Sequence, residues 1–122
     1  MFRLGIDLCE VPRIEKAMAR SERFCRRVLG AAEYEMLARR GFPPQSVAAS
    51  FAAKEAFSKA MGTGVRGFSL RDVELLRAEN GAPVLHLSGR AAALAKGLVF
   101  SVSVTHTKAL AAVVVAAQAE DH

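Results

Sequence analysis

Tryptophan is absent from this 122-residue sequence, tyrosine occurs once and cysteine twice. The seven phenylalanines stand mostly in core-like contexts, which gives little support to an aromatic stacking platform for single-stranded nucleic acid. Cys9 and Cys25 lack zinc-like spacing, and His86, His106 and His122 have no neighbouring cysteine to complete a tetrahedron. The two thiols read as small core residues of a reduced, cytoplasmic protein. No apolar run approaches the ~18 residues of a membrane span, and the longest, Ala109 to Ala117, is too short. The amino terminus, interrupted by Asp7 and Glu10, shows no signal-peptide pattern. A nucleophile elbow, a Walker loop and a dinucleotide fingerprint are all missing. Without an internal repeat or linker, one domain over residues 1–117 is expected, with a flexible tail at 118–122.

What is present begins with charge. Seventeen basic against twelve acidic side chains leave +5 at pH 7. Such a surface favours anionic partners, whether nucleic acid, an acidic protein or a phosphorylated small molecule. Hydrophobic residues make up 52% of the chain, enough for a folded core.

The organising stretch is 46–64. Ala, Lys, Glu and Met favour helix; Ser46 is a candidate N-cap, and Gly62 and Gly64 mark the exit. At 100° per residue, Ala52, Ala53, Ala56, Phe57, Ala60 and Met61 share a buried arc, while Lys54, Glu55, Ser58 and Lys59 form a charged front with Phe51 between. That front reads either as a solvated face with a Glu55–Lys59 pair or as part of a metal and polyphosphate site.

Before it, residues 2–8 alternate as a strand with Asp7 near its end, and Pro12 opens a helical segment running to about residue 29, with a break near Ser21 allowed. Arg13, Lys16, Arg20, Arg23 and Arg27 recur at intervals of 3 and 4, a basic stripe if the helix continues and two shorter basic faces if it breaks. Ala31 to Arg40 predicts another helix with Tyr34, Leu37 and Ala38 inward. After the central helix, 71–78 and 83–88 read as a hairpin around Asn80-Gly81. Ser88 caps a candidate helix from Gly89 to Lys96, and 99–105 is a strand ending at His106. The nearly all-apolar 109–117 predicts a central strand covered on both faces.

Three blocks together resemble the holo-acyl-carrier-protein synthases, the small bacterial 4′-phosphopantetheinyl transferases. They are Gly5-Ile6-Asp7 with Arg13 downstream, the run from Phe51 to Gly64, and Ser103 to Lys108 before the Ala-rich strand. The resemblance implies an α+β phosphopantetheinyl transferase fold, an antiparallel-rich sheet packed with helices. It implies Mg²⁺-dependent transfer of 4′-phosphopantetheine from coenzyme A to a serine of apo acyl carrier protein, releasing 3′,5′-ADP. Asp7 and Glu55 then correspond to metal-binding carboxylates, and with Lys59 to the catalytic set. Lys59, Gly62, Gly64 and His106 correspond to coenzyme contacts, and Arg13 to an arginine that meets acyl carrier protein; Arg20, on the same basic stripe, is expected to add to that docking face. A cytoplasmic homotrimer with no nucleic-acid or membrane partner is implied as well. Ser50 departs from the pattern, since the family commonly has arginine there. Arg39, Arg40 or Arg66 are the candidates to compensate. The alternatives are a small basic nucleic-acid-binding module on the Arg13–Arg27 stripe, or a carrier-binding protein without catalysis.

Overall fold

The computed structural model describes residues 2–121, and the elements follow one another as β1 (Phe2–Glu10), α1 (Val11–Arg20), α2 (Phe24–Val28), α3 (Ala31–Ala38), α4 (Pro44–Met61), β2 (Val73–Arg77), β3 (Pro83–Leu87), α5 (Gly89–Leu94), β4 (Leu98–His106) and β5 (Leu110–Ala119). Two single-turn 3₁₀ segments, Gly64–Gly67 and Leu70–Asp72, join α4 to β2. β1, β5 and β4 form an antiparallel sheet in that order, and β2 and β3 form a separate hairpin. The architecture is therefore the expected α+β one, with β5 at the sheet centre. β5 continues through Ala119, two residues into the expected tail, while His122 lies outside the described residues.

The alternation of β1 runs against the usual assignment of faces. Phe2, Leu4, Ile6 and Leu8 are 61–72% exposed, whereas Gly5 and Cys9 are buried beneath α4. Gly5 explains why. A Cβ there would stand 1.9 Å from the Ala56 carbonyl oxygen, so only glycine lets α4 lie this close to β1. With successive side chains on opposite faces, the helix side of β1 also receives Asp7, and the apolar side is left open. β5 follows suit. Ala111, Val113, Val115 and Ala117 are buried, while Leu110 and Val114 are exposed. The expectation of two covered faces on 109–117 is thus met on one face only within a single chain.

Local chemistry sets the breaks. α1 ends at Arg20, and Ser21 adopts extended backbone and accepts a hydrogen bond from the Arg23 amide at 3.2 Å. The basic segment is therefore two helices, not one continuous stripe. α4 begins at Pro44, whose missing N–H suits a first helical turn, so Ser46 sits inside the helix and is not its cap. Gly62 closes α4 in the left-handed region at φ 73°. Arg71 and Asp72 belong to the 3₁₀ turn, so β2 starts at Val73, and Ser88 precedes α5 without a side-chain capping bond. On α3 the buried residues are Glu33 and Leu37, and Ala38 is exposed.

Phe57 anchors the core between helix and sheet. It is fully buried and packs edge-on to Phe68 at 5.1 Å and tilted against Phe100 at 5.6 Å. On its other side α4 meets β2, and Lys54 reaches Glu33 of α3, so the helix is enclosed from both directions. From Val47 to Met61 only Phe51, Glu55 and Lys59 escape burial.

Candidate active site

Phe51, Glu55 and Lys59 are spaced four apart, so they fall in one line along α4. That line is the only open strip on this part of the helix, and it faces the helix side of β1. Together with Asp7, Leu8, Cys9 and Arg13 the three residues line a hollow of about 270 Å³. The sheet supplies one carboxylate, the helix the other, and the ammonium group stands between helix and strand. Lys59 Nζ donates to Asp7 Oδ1 at 3.1 Å and to the Ile6 carbonyl at 3.0 Å. The expected Glu55–Lys59 pair is not formed; Lys59 reaches across to β1 instead, because the closeness enforced at Gly5 brings Asp7 within range.

Lys54 does not belong to this front. It is 0% exposed and points to the opposite side of α4, where Nζ donates to Glu33 Oε1 at 2.7 Å and to the Val73 carbonyl oxygen. Glu33 also accepts from the Gly30 amide at 3.1 Å and the Leu75 amide at 2.9 Å, and Glu74 accepts from the Glu33 amide at 2.8 Å. Burial pushes the Lys54 ammonium below its usual range, opposed by the charge and hydrogen bond of Glu33 and by the charge of Glu74. Ser58 is buried too and donates to the Glu55 carbonyl at 2.7 Å. The broad charged face predicted from periodicity is therefore a narrow one carrying Glu55 and Lys59. A 3.6-residue period cannot foresee that a second layer packs on the back of the helix.

Arg13 lies where two depressions meet. It lines the hollow just described and also a groove of about 400 Å³ along α1, bounded by Glu10, Pro12, Lys16, Ala17 and Arg20. The structure thus joins Arg13 to both Asp7 and Arg20. Gly62 and Gly64 both have positive φ, at 73° and 63°, with open space where a side chain would be, and they follow directly on the Lys59 turn. His106 is not brought into the hollow. It pairs with Ala111 of β5, which pairs in turn with Cys9, so it lies two strands away at the opposite edge of the sheet.

Three lining residues lie outside the set the sequence points to: Leu8, Cys9 and Phe51. Burial raises the Cys9 thiol above its ordinary value, Arg13 opposes this, and Asp7, Glu10 and Glu55 add to it. A protonated thiol there is a neutral filler, not a nucleophile. Ser50 is 1% exposed, one turn before Lys54 on α4. Of the basic residues considered in its place, Arg39 is held by Glu35 at 2.6 Å, and Arg40 and Arg66 have no ion pair among the described residues.

Asp7 and Glu55 are hard oxygen donors sharing one hollow. Among the described residues no third His, Cys, Asp or Glu joins them in a metal-binding cluster. Two carboxylates with the remaining positions left to water and phosphate oxygens suit Mg²⁺ and do not suit a structural zinc ion.

Known proteins resemble the chain over most of its length. Residues 3–114 match the family model described as the 4′-phosphopantetheinyl transferase superfamily. A holo-[acyl-carrier-protein] synthase of Clostridium beijerinckii is 46% identical over 87 residues, 71% of each chain. The corresponding protein of Caldicellulosiruptor bescii is 38% identical over 123 residues, covering 97% of this chain and 98% of its own. Among solved structures, the Neisseria meningitidis synthase superposes with a TM-score of 0.88 at 28% identity, over 95% of this chain and 97% of that one. The Bacillus anthracis synthase, solved in complex with CoA (3′,5′-ADP), gives 0.81 at 32% identity, over 97% and 96%.

Proposed function

The chain belongs to the 4′-phosphopantetheinyl transferase superfamily, among the holo-acyl-carrier-protein synthases, and on that premise we infer that the hollow between β1 and α4 is where 4′-phosphopantetheine passes from coenzyme A to acyl carrier protein. The observation that carries this reading is the convergence of Asp7, Glu55 and Lys59, from two segments far apart in sequence, on one hollow that opens through Arg13 onto a basic groove.

Each side chain has a task in such a transfer. Asp7 and Glu55 would hold Mg²⁺, which when bound supplies positive charge against the pyrophosphate and orients it. Lys59 has a side chain 54% exposed, so its ammonium is free to exchange Asp7 for a phosphate oxygen as the donor enters. That exchange places a cation beside the charge that builds on 3′,5′-ADP as it leaves. Gly62 and Gly64 present bare backbone at the end of α4, where the coenzyme can approach closely. No covalent nucleophile is required, because phosphoryl-type transfer is served mainly by positioning and electrostatics. The acceptor is the serine hydroxyl of the carrier. The α1 groove, with Arg13, Lys16 and Arg20, offers the cationic face that an acidic carrier would dock on. A nucleic-acid module on the same stripe is disfavoured by the carboxylates standing beside it.

The open sheet face argues for self-association. Phe2, Leu4, Ile6 and Leu8 present a contiguous apolar row that a single chain leaves in water. We assign it to a homotrimer, in which a neighbour's His106 region and an exposed arginine such as Arg40 or Arg66 complete the coenzyme site. No helix of the described residues is long and apolar enough to cross a membrane, and the cytoplasm is the proposed location.

Intact-mass analysis of apo acyl carrier protein incubated with this protein, coenzyme A and Mg²⁺ tests the reaction. A gain of one phosphopantetheine, lost when Mg²⁺ is chelated, is the expected result; an unchanged carrier after prolonged incubation overturns it. Light scattering during turnover tests assembly, and a mass near that of one 13.1 kDa chain would reject the trimer.

A further inference from the structure

A second basic hollow lies away from the reaction site. It occupies about 310 Å³ where α2, α3 and the Leu70–Asp72 turn meet, and its lining is Arg26, Leu29, Ala31, Tyr34 and Arg71. It shares no residue with the Asp7 hollow or with the α1 groove.

Both arginines are held by neutral partners. The Arg26 guanidinium stands 4.9 Å over the Tyr34 ring, a cation–π contact. Arg71 Nε donates to the Leu29 carbonyl at 3.1 Å, which orients the guanidinium, and this is the only side-chain hydrogen bond of Arg71 among the described residues. Neither arginine has a carboxylate partner among the described residues. Glu22, four residues before Arg26, is exposed, and three other acids near the two arginines are engaged elsewhere. Glu33 and Glu74 are buried in the Lys54 network, and the Asp72 carboxylate lies against Gly89. Two guanidiniums from different elements thus line one cavity without an ion-pair partner among the described residues. A tetrahedral dianion fits that arrangement in charge and in hydrogen-bonding geometry, since each planar fork can offer paired donors to a phosphate.

We propose that this hollow is a subsite for a phosphate dianion, either free inorganic phosphate or the end group of a phosphate monoester. It is a binding site only, separate from the transfer reaction.

The test is a titration of the uniformly ¹⁵N-labelled full-length protein with inorganic phosphate at constant ionic strength, following the Arg side-chain Nε–H and backbone amide signals. The Arg71 Nε–H and Ala31 amide signals are expected to shift together and saturate, with a dissociation constant on the order of millimolar. Arg26→Gln, which leaves the Leu29–Arg71 bond in place, and Arg71→Gln should each weaken binding at least about tenfold, as expected for loss of a charge-assisted contact, with unchanged transfer activity in both, and with a lowered melting temperature only in Arg71→Gln, which also loses its bond to Leu29. Glycerol 3-phosphate binding more tightly than phosphate assigns the site to monoesters, and the reverse order assigns it to the free ion. Shifts that fail to saturate, that persist in both variants, or that acetate reproduces at equal concentration overturn the proposal. Because transfer is assayed separately, a failure here leaves the reaction at the other hollow untouched.

Discussion

Lys54 and Lys59 lie on the same helix, and each meets a carboxylate, yet the two pairs have opposite characters. In the Lys54–Glu33 pair both side chains are 0% exposed, and in the Lys59–Asp7 pair they are 54% and 16% exposed. The inner pair spends its hydrogen bonds on its own chain, through Val73, Gly30 and Leu75. It has nothing left to offer a ligand, and losing either partner would strand a charge in the interior. The outer pair is screened by water and contributes little to stability. It is therefore exchangeable, as the proposed hand-over of Lys59 to an incoming phosphate requires. One holds the helix in place, and the other is the one assigned to the proposed transfer.

The sharpest way to break this contrast is to remove each ammonium in turn. Lys54→Met leaves Glu33 buried and uncompensated, and urea unfolding should register a loss of about 3–5 kcal/mol. Lys59→Met should cost less than about 1 kcal/mol. Equal losses would mean that burial does not separate the two pairs. Activity should invert the order. Asp7→Ala or Glu55→Ala is expected to lower kcat by about 10²–10³-fold, the several kcal/mol that a metal contributes, with stability close to that of the parent. Retention of near-normal turnover at limiting Mg²⁺ by either variant would separate that carboxylate from the metal. Lys59→Met should lower kcat/KM for coenzyme A about 10–100-fold, the worth of a charge-assisted bond; a folded Lys54→Arg variant should lose far less.

Smaller effects sharpen the comparison at its edges. Arg13→Glu should raise the carrier KM about tenfold while coenzyme A KM moves much less, and the smaller effect of Arg20→Glu should shrink with added salt. Equal weakening toward both substrates would point to a damaged fold. The buried thiols give the mildest readout. Burial raises both Cys9 and Cys25 above the ordinary thiol range. At pH 8 iodoacetamide should label them slowly in the native protein and quickly after unfolding, since only the thiolate reacts. Above pH 9 the unfolded chain releases these protons first, so their contribution to stability falls as pH rises toward the folded values. Rapid labelling of the native protein would place Cys9 outside the protected floor of the hollow.

Much of the site was legible because its residues belong to strong local patterns. The strand carrying Asp7, the helix bearing Glu55 and Lys59 and the glycine exit each follow from period, propensity and turn chemistry. The break near Ser21 was readable as one of two outcomes. Lys54 was misplaced because period alone assigns a face by averaging neighbours, and a lysine among alanines, glutamate and lysine averages to solvent. The carboxylate that reverses the assignment, Glu33, lies on another helix. Ser46 and Ser88 were overvalued as caps because a capping residue type does not ensure a capping bond.

Sequence by itself determined the elements, their order and the pairing-prone hairpin, since all of these rest on interactions among near neighbours. Tertiary structure alone decided which way they face. The absent side chain at Gly5 lets α4 settle against β1, so Asp7 points inward and Phe2, Leu4, Ile6 and Leu8 point out. A second layer formed by α3 and β2 then covers the back of α4 and leaves Phe51, Glu55 and Lys59 as its open strip. Facing is set by close packing between distant segments, and the spacing of residues along the chain carries no record of that contact.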